Sequence, residues 1–185
     1  MSENIRCWGG PPNFVEYHDR EWGRPVHDDN KLFEMLTLES MQAGLSWITV
    51  LNKREAFRAA FDGFTPKKIA LYGDTEIQVL MSNEGIIRNR AKINAAVSNA
   101  RAFLKICEEC GSFDKFIWEY VEFTPVIGDG TWPATTALSD RISKELEKKG
   151  FKFAGSTTVY AFLQATGIVN DHKPECIVYK ELLKG

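Results

Sequence analysis

A carboxylate and an indole are close together in the segment from Leu38 to Glu55, where Glu39 precedes Gly44 and Trp47 follows it. Glycine favours a turn, so we expect Glu39 near the end of one helix and Trp47 near the start of the next. A carboxylate beside a flat π-face suits a ring that stacks and donates hydrogen bonds, such as a purine. On spacing alone, a core tryptophan and a solvated glutamate are the more common outcome.

Helical periodicity flanks this corner on both sides. Asp28 offers N-cap chemistry to an amphipathic helix that ends near Glu39, and its apolar residues recur at helical spacing. Ser46 is placed to cap the second helix. Gly44 and Leu45 would then form the tip of the turn between the two helices.

Most of the remaining chain also has helical patterns. The predicted elements are a short helix from Pro66, a helix capped by Asp74, a longer helix from about Asn89 through Ile106, an aromatic helix over 113–121, a loop over 124–133, a helix from Ser139 to Gly150 and one from Ser156 to Gly167. Runs of strict period-two alternation are missing. We therefore predict an all-α fold.

Positive charge is concentrated in one segment of a chain whose formal net charge is −2. From Gly85 to Lys105 there is no acid, and the cations are Arg88, Arg90, Lys92, Arg101 and Lys105. A helix, a turn at Gly85 and a second, cation-rich helix resemble a helix-hairpin-helix element, in which backbone amides face phosphates. The net charge argues against a purely electrostatic nucleic-acid binder, but it does not exclude DNA. A second basic run over 144–152 is diluted by acids and fits a solvated helix face better.

A second set of candidate functional residues consists of cysteines and histidines near the two ends of the chain. Cys7 and His18 lie near the N-terminus, and His172 and Cys176 lie near the C-terminus. Zinc favours four such ligands when its role is structural, although isolated cysteines and histidines are more often packed or solvated. The pair Cys107 and Cys110 has no second pair to complete it, and we interpret it as incidental. His27 lacks a partner and is interpreted as a surface residue.

The composition sets further bounds. The 185 residues and the 44% hydrophobic content fit one globular domain, which we place at 1–185. We find no apolar run of membrane-spanning length and no signal-peptide pattern. Four cysteines without a regular framework favour a reducing compartment, so we expect a cytoplasmic protein. Nothing in the sequence suggests an obligate partner, and we expect a monomer.

The segment from Leu38 to Glu55 closely resembles the 3-methyladenine DNA glycosylase I family of bacterial repair enzymes. The resemblance continues in four further blocks, which are Tyr17 to Gly23, Gly85 to Arg88, Lys149 to Phe153 and Gly167 to His172. An ordered match along most of the chain is more specific than any single motif. It implies a helical domain of helix-hairpin-helix glycosylase type, with its N- and C-terminal segments joined by a structural zinc.

The resemblance also implies an activity. The expected reaction is hydrolysis of the N-glycosidic bond of 3-methyladenine in double-stranded alkylated DNA, after base flipping, by a monofunctional enzyme that starts base excision repair. Glu39 would be the catalytic residue and would bind the base, on which Trp47 would stack. The further residues implied are Tyr17, Trp22 and Trp8 for the base, Gly44, Leu45, Arg88, Arg90 and Lys92 for DNA, and Cys7, His18, His172 and Cys176 for Zn²⁺. Strand cleavage by Lys92 is disfavoured, because nothing in the sequence desolvates its amine.

Two other functions stay open at this point. A non-catalytic sensor of alkylated or distorted DNA would use the same pocket, and the absence of a recognisable catalytic aspartate between Lys105 and Pro133 favours it. A zinc-stapled helical interaction domain without a DNA role is the second alternative.

Overall fold

The chain folds into short helices packed around one core, as seen in a computed structural model that describes residues 5–183. The α-helices are α1 Pro12–Arg20, α2 Asp29–Gln42, α3 Trp47–Asn52, α4 Arg54–Ala60, α5 Pro66–Ile69, α6 Asp74–Ser82, α7 Arg90–Cys110, α8 Phe113–Trp118, α9 Ala137–Lys148, α10 Ser156–Ala165 and α11 Ile177–Leu182. The 3₁₀ turns are Asp62–Phe64 and Glu119–Val121. The all-α prediction is confirmed. Within the described part of the chain, no helix has the length and apolar character needed to cross a bilayer.

Two very short strands interrupt the helical pattern. β1 Val126–Ile127 pairs in parallel with β2 Val169–Asn170. β1 lies inside the segment predicted to be a loop. Two residues are too few to produce a detectable alternation, so this pairing depends on tertiary contact rather than on local pattern.

Helix α2 lies at the centre of the molecule. Asp28 caps it by accepting a hydrogen bond from the Lys31 backbone N–H at 2.8 Å, and every residue from Leu32 to Met41 is buried. The helix is therefore buried all round, not amphipathic as the sequence predicted. It packs against α3, α7, α8 and α10, so its few polar side chains must find partners inside the protein or face a cavity.

The predicted hairpin between α6 and α7 is present. Asn83 accepts a hydrogen bond from the Gly85 N–H at 2.8 Å, and Asn89 caps α7. The ammonium of Lys53 donates to the carbonyls of Glu84 and Gly85 at 3.1 and 3.2 Å. Lys53 lies at the junction of α3 and α4, so these bonds hold the hairpin turn against that junction.

The two ends of the described chain pack together. The Gly23 N–H donates to the Gln164 carbonyl at 2.9 Å, and the Ile177 N–H donates to the Ile5 carbonyl at 2.9 Å. Gly167 has a φ of +68°, and a Cβ at this position would lie 2.2 Å from the Arg24 carbonyl carbon. Only glycine allows this close approach, which places the segment after α1 beside the end of α10.

Candidate active site

Glu39 lies on the last turn of α2 and lines a cavity of about 180 Å³. Its side chain is buried, and its Oε2 has no hydrogen-bond partner among residues 5–183. Burial raises the pKa of Glu39 to about 8. No cation among the described residues offsets this burial, and a ligand that donates hydrogen bonds or carries positive charge would suit such a carboxyl group.

Aromatic side chains form the walls of the cavity. Tyr17 and Trp47 contact each other with ring centroids 5.3 Å apart. Trp8 packs edge-on against Trp22 at 4.7 Å and stacks on Phe14 at 5.5 Å. Burial, followed by the negative charge of Glu39, raises the pKa of Tyr17 well above its ordinary value, so its phenol stays protonated. The cavity therefore offers flat apolar faces around one acidic group.

Two indole N–H groups are, like Glu39 Oε2, buried without a hydrogen-bond partner among the described residues. In the described part of the chain, the buried side-chain nitrogen and oxygen atoms without a partner are Trp8 Nε1, Glu39 Oε2 and Trp47 Nε1. All three residues line the same cavity. Buried polar groups are normally paired, and a cluster of unpaired ones marks a site that a ligand completes.

The structure brings together every residue predicted to bind the base, namely Glu39, Tyr17, Trp22, Trp47 and Trp8. The sequence analysis did not assign the remaining lining residues, which are Phe14, Gln42, Ala161 and Gln164. Phe14 and Gln42 follow helical spacing from Tyr17 and Glu39, and this signal could have identified them. Gln164 comes from a distant helix, and no local pattern indicates it.

The residues predicted to contact DNA divide into two groups. Gly44, Leu45, Arg88 and Arg90 are exposed. Gly44 has a φ of +79°, and Leu45 at the tip of the same turn exposes 43% of its surface. Arg88 is half exposed beside Glu84, with 3.6 Å between Nη1 and Oε1.

The structure corrects the prediction for Lys92, whose side chain turns inward. Its ammonium donates to the carbonyls of Met41 and Ala43 at 2.8 and 2.6 Å, and the residue is 7% exposed. Burial lowers the pKa of Lys92. Its charge complements the C-terminal end of α2 instead of facing phosphates. Contrary to the expectation from sequence, the fold does desolvate this amine.

A second cluster lies outside the cavity. One ligand atom from each of Cys7, His18, His172 and Cys176 lies within 4.8 Å of the others, and all four residues are buried. Cys7 Sγ is 3.3 Å from His172 Nδ1, and Cys176 Sγ is 3.6 Å from His18 Nε2. These four predicted residues therefore form one group that could hold a metal ion.

The other nitrogen of each imidazole in this cluster is also bonded. His18 Nδ1 lies 2.8 Å from Asp19 Oδ1, and His172 Nε2 lies 2.9 Å from the Trp22 carbonyl oxygen. Such bonds fix the tautomer and the orientation of a metal-binding histidine. None of the four residues lines the cavity, but His18 and His172 pack edge-on against Trp8 and Trp22, each with ring centroids 4.6 Å apart.

The structure also bears on the interpretations of Cys107, Cys110 and His27. Cys107 and Cys110 are free thiols, and the Cys107 Sγ faces Asp29. His27 is exposed, as predicted, but it does have partners. Its Nδ1 lies 2.8 Å from Asp114 Oδ1, and its ring stacks on Trp118.

Comparisons with known proteins agree with this geometry. A family model described as methyladenine glycosylase matches residues 8–179. The DNA-3-methyladenine glycosylase of Haemophilus influenzae is 49% identical over 178 residues, which cover 92% of this chain and 96% of that protein. DNA-3-methyladenine glycosylase 1 of Escherichia coli is 47% identical over 172 residues, which cover 91% and 92%.

Solved structures give the same result. A crystal structure of 3-methyladenine DNA glycosylase I aligns with a TM-score of 0.89 at 48% identity, over 94% of this chain and 98% of that one. A variant of 3-methyladenine DNA glycosylase I in complex with 3-methyladenine aligns with a TM-score of 0.90 at 38% identity, over 96% and 97%. This chain is thus an enzyme of the glycosylase class. It belongs to the methyladenine glycosylase family.

Proposed function

We propose that this protein is a DNA-3-methyladenine glycosylase that binds the methylated base against Glu39 and hydrolyses its N-glycosidic bond. One observation carries the proposal. The cavity lined by Glu39 contains the unpartnered Oε2 together with two unpartnered indole N–H groups, between aromatic walls. The two curated relatives described above carry this activity in their names.

The cavity favours a cationic base over a neutral one. Methylation at N3 gives adenine a positive charge, and a cation over an aromatic face gains about 0.5 to 2 kcal/mol for each good contact. Trp47 and Tyr17 supply such faces, and the cation favours the ionised form of Glu39. Unmodified adenine lacks the charge, so the same cavity discriminates against it.

Cleavage of this N-glycosidic bond requires little chemical assistance from the protein. A cationic base is already a good leaving group, so the cavity must mainly hold the base while the sugar becomes oxocarbenium-like. Among the described residues that line the cavity, Glu39 is the one carboxylate and none is a lysine. The ammonium of Lys92 is held by two carbonyl groups. A monofunctional hydrolase fits this arrangement better than an enzyme that forms a Schiff base.

Double-stranded DNA is the substrate that we propose, and base excision repair is the process. The nucleotide must leave the stack to reach the cavity, which costs roughly a few kcal/mol. Leu45, exposed beside Gly44, is placed to fill the gap in the duplex. Arg88 and Arg90 provide positive charge at the hairpin. A protein that repairs chromosomal DNA in bacteria would act in the cytoplasm, and we propose a monomer, as expected from the sequence.

The cysteine and histidine cluster fits zinc. Tetrahedral coordination at ordinary Zn–N and Zn–S lengths places ligand atoms about 3.3 to 3.8 Å apart, and the contacts of 3.3 to 3.6 Å between sulfur and nitrogen agree with it. Burial raises the pKa of the Cys7 thiol to about 12, so a thiolate there needs a nearby cation. Four protein ligands leave no open position, and the metal would join Cys7 and His18 to His172 and Cys176.

Base release from methylated duplex DNA tests the function. Wild type should release 3-methyladenine, and Glu39→Gln should release it at least about 100-fold more slowly, since the variant loses the charge that faces the base. Glu34→Gln is the matched control, because Glu34 is a buried carboxylate on the same helix that does not line the cavity. If folded wild type releases no base, the enzyme hypothesis fails and a lesion-binding protein remains.

A further inference from the structure

The side-chain amide of Gln164 lies between the base cavity and a buried carboxylate. Gln164 lines the cavity from α10. Its backbone carbonyl accepts hydrogen bonds from the N–H groups of Gly23 and Gly167 at 2.9 and 3.3 Å. Its side-chain Nε2 donates to Asp171 Oδ2 at 2.7 Å. Hydrogen bonds therefore hold both the backbone and the side chain of this residue in the cavity wall.

The buried carboxylate of Asp171 accepts hydrogen bonds from three parts of the protein. Its Oδ1 accepts from the Gly130 N–H at 3.1 Å, and its Oδ2 accepts from the Tyr160 hydroxyl as well as from Gln164. A Cβ at Gly128 would overlap this carboxylate, so glycine lets the loop approach it closely. Asp171 therefore acts as an acceptor toward each of these partners.

The carboxylate of Asp171 decides which end of the Gln164 amide faces the cavity. A carboxylate has no proton to donate, so the amide turns its NH₂ group toward Asp171, because the reverse orientation would set two oxygen atoms against each other. No described residue donates to Gln164 Oε1, and this atom is not among the fully buried ones that lack a partner. The Gln164 oxygen is consequently open to the cavity as a hydrogen-bond acceptor.

A fixed acceptor in the cavity wall distinguishes two purines. Adenine carries an exocyclic amine, which donates hydrogen bonds, at the position where guanine carries the acceptor O6. A freely rotating amide would offer either its oxygen or its NH₂ group and would suit both bases. The hydrogen bond to Asp171 removes this freedom from Gln164, so the wall offers an oxygen only.

We propose that Asp171 is a positioning residue that turns the Gln164 oxygen toward the base, and that Gln164 thereby selects 3-methyladenine over 3-methylguanine. The oxygen accepts a hydrogen bond from the amine of the methylated adenine and repels the O6 of the methylated guanine. This inference rests on the proposed function, because it assumes that the cavity takes a methylated purine. An Asp171 that served only to join the loop to α10 would have no influence on the choice of base.

An exchange of one oxygen for an NH₂ group tests the role of Asp171. Asp171→Asn keeps an acceptor for the Gly130 N–H and gains a donor for Gln164, so the Gln164 amide is free to turn its own NH₂ group into the cavity. The measurement is the dissociation constants of free 3-methyladenine and free 3-methylguanine. The preference for 3-methyladenine, which is the ratio of these constants, should fall about tenfold relative to wild type.

Tyr160→Phe is the matched control for this exchange. It removes one hydrogen bond from Asp171 but leaves the carboxylate as an acceptor, so the orientation of Gln164 is kept. The Tm of this variant should fall, and its preference should match that of wild type. If Asp171→Asn lowers the preference no further than Tyr160→Phe does, the positioning role of Asp171 is wrong.

Gln164→Met tests the same contact without a change beside His172. It keeps the length of the side chain and removes the acceptor, so it should weaken binding of 3-methyladenine about tenfold without weakening that of 3-methylguanine. An unchanged preference in this variant, or a wild type that binds the two bases equally, would overturn the proposal. Base release by wild type reports separately on the proposed function, because binding of a free base requires no hydrolysis.

Discussion

At the scale of single residues, Glu34 and Glu39 show how packing separates two carboxylates of one helix. Both are buried in α2. Glu34 accepts hydrogen bonds from Arg58 at 2.8 and 3.1 Å and from Lys31 at 3.3 Å, whereas Glu39 Oε2 has no partner among the described residues. Glu34 thus stabilises the fold, whereas the unpartnered Glu39 costs stability, as we expect of a group that a ligand would complete.

The cost of Glu39 should appear in the pH dependence of unfolding. Its pKa is raised from 4.5 to about 8, so the unfolded chain loses the proton at lower pH than the folded protein does. Wild type should therefore lose stability relative to Glu39→Gln as the pH rises from about 5 to about 8, by up to a few kcal/mol. Thermal unfolding of both proteins at three pH values measures this difference. A difference that does not change with pH would contradict the burial of an ionisable Glu39, and Glu34→Gln should lower the Tm throughout.

At the scale of elements, the turn after α2 and the hairpin before α7 are braced by two lysines. Lys92 bonds to the carbonyls at the end of α2, and Lys53 bonds to the carbonyls of the hairpin turn. In the first case the ammonium satisfies carbonyls at a helix end, and in the second it satisfies carbonyls of the turn that follows α6. The two turns proposed to contact DNA are thereby fixed relative to each other.

Removal of the Lys92 ammonium should loosen the Leu45 turn. Lys92→Met keeps the length and the apolar stem but leaves the carbonyls of Met41 and Ala43 unpaired, at about 1 to 3 kcal/mol. The Tm should fall, and hydrogen exchange of residues 42–46 should become faster. Arg88→Ala is the control, because it removes an exposed cation nearby and should leave both readouts unchanged. A Lys92→Met protein with unaltered exchange in this turn would show that the two bonds do not hold it.

Two glycines on tight turns should respond differently to one added methyl group. Gly44 and Gly167 both have positive φ, so alanine is strained at either position by about 1 kcal/mol. A Cβ at Gly44 meets no described atom within 4 Å, whereas at Gly167 it would overlap the backbone of Arg24 and Pro25. Gly44→Ala should therefore fold with a slightly lower Tm, and Gly167→Ala should be strongly destabilised. Similar Tm values for the two variants would contradict the close approach at Gly167.

At the scale of the whole molecule, the two ends of the chain complete the site together. Trp8, Tyr17 and Trp22 come from the N-terminal segment. Gln164 comes from α10, which precedes His172 closely in the sequence. Two of the proposed zinc ligands belong to each segment. The metal would therefore hold the aromatic walls against the α2 core without taking part in the reaction.

Removal of metal should loosen both ends of the chain at once. Chelation of the zinc-loaded protein, or Cys176→Ser, should lower the Tm by several degrees and accelerate hydrogen exchange in residues 5–24 and 166–183. Exchange in α7 should change least, because no proposed ligand belongs to it. Affinity for free 3-methyladenine should fall in parallel, since Trp8 and Trp22 pack against the histidines of the cluster. Metal content of one zinc per chain before chelation, and restoration by added zinc, complete the measurement.

The helical class and the positions of most helices can be predicted from the amino-acid sequence alone. These features follow from local periodicity, from turn residues such as Gly44 and Gly85, and from residue types with a distinct chemistry. Resemblance to a known family then grouped Glu39 with Tyr17 and Trp22, and Cys7 with His172, across the chain. Local rules could not do this, since they extend over only one or two helical turns.

Which polar groups have partners depends on the tertiary structure. It turned Lys92 away from solvent, gave Glu34 two cations, left Glu39 without one, and brought Gln164 into the cavity. Burial, pKa and hydrogen-bond satisfaction depend on which distant side chains pack against a residue, and the chain specifies that packing only as a whole.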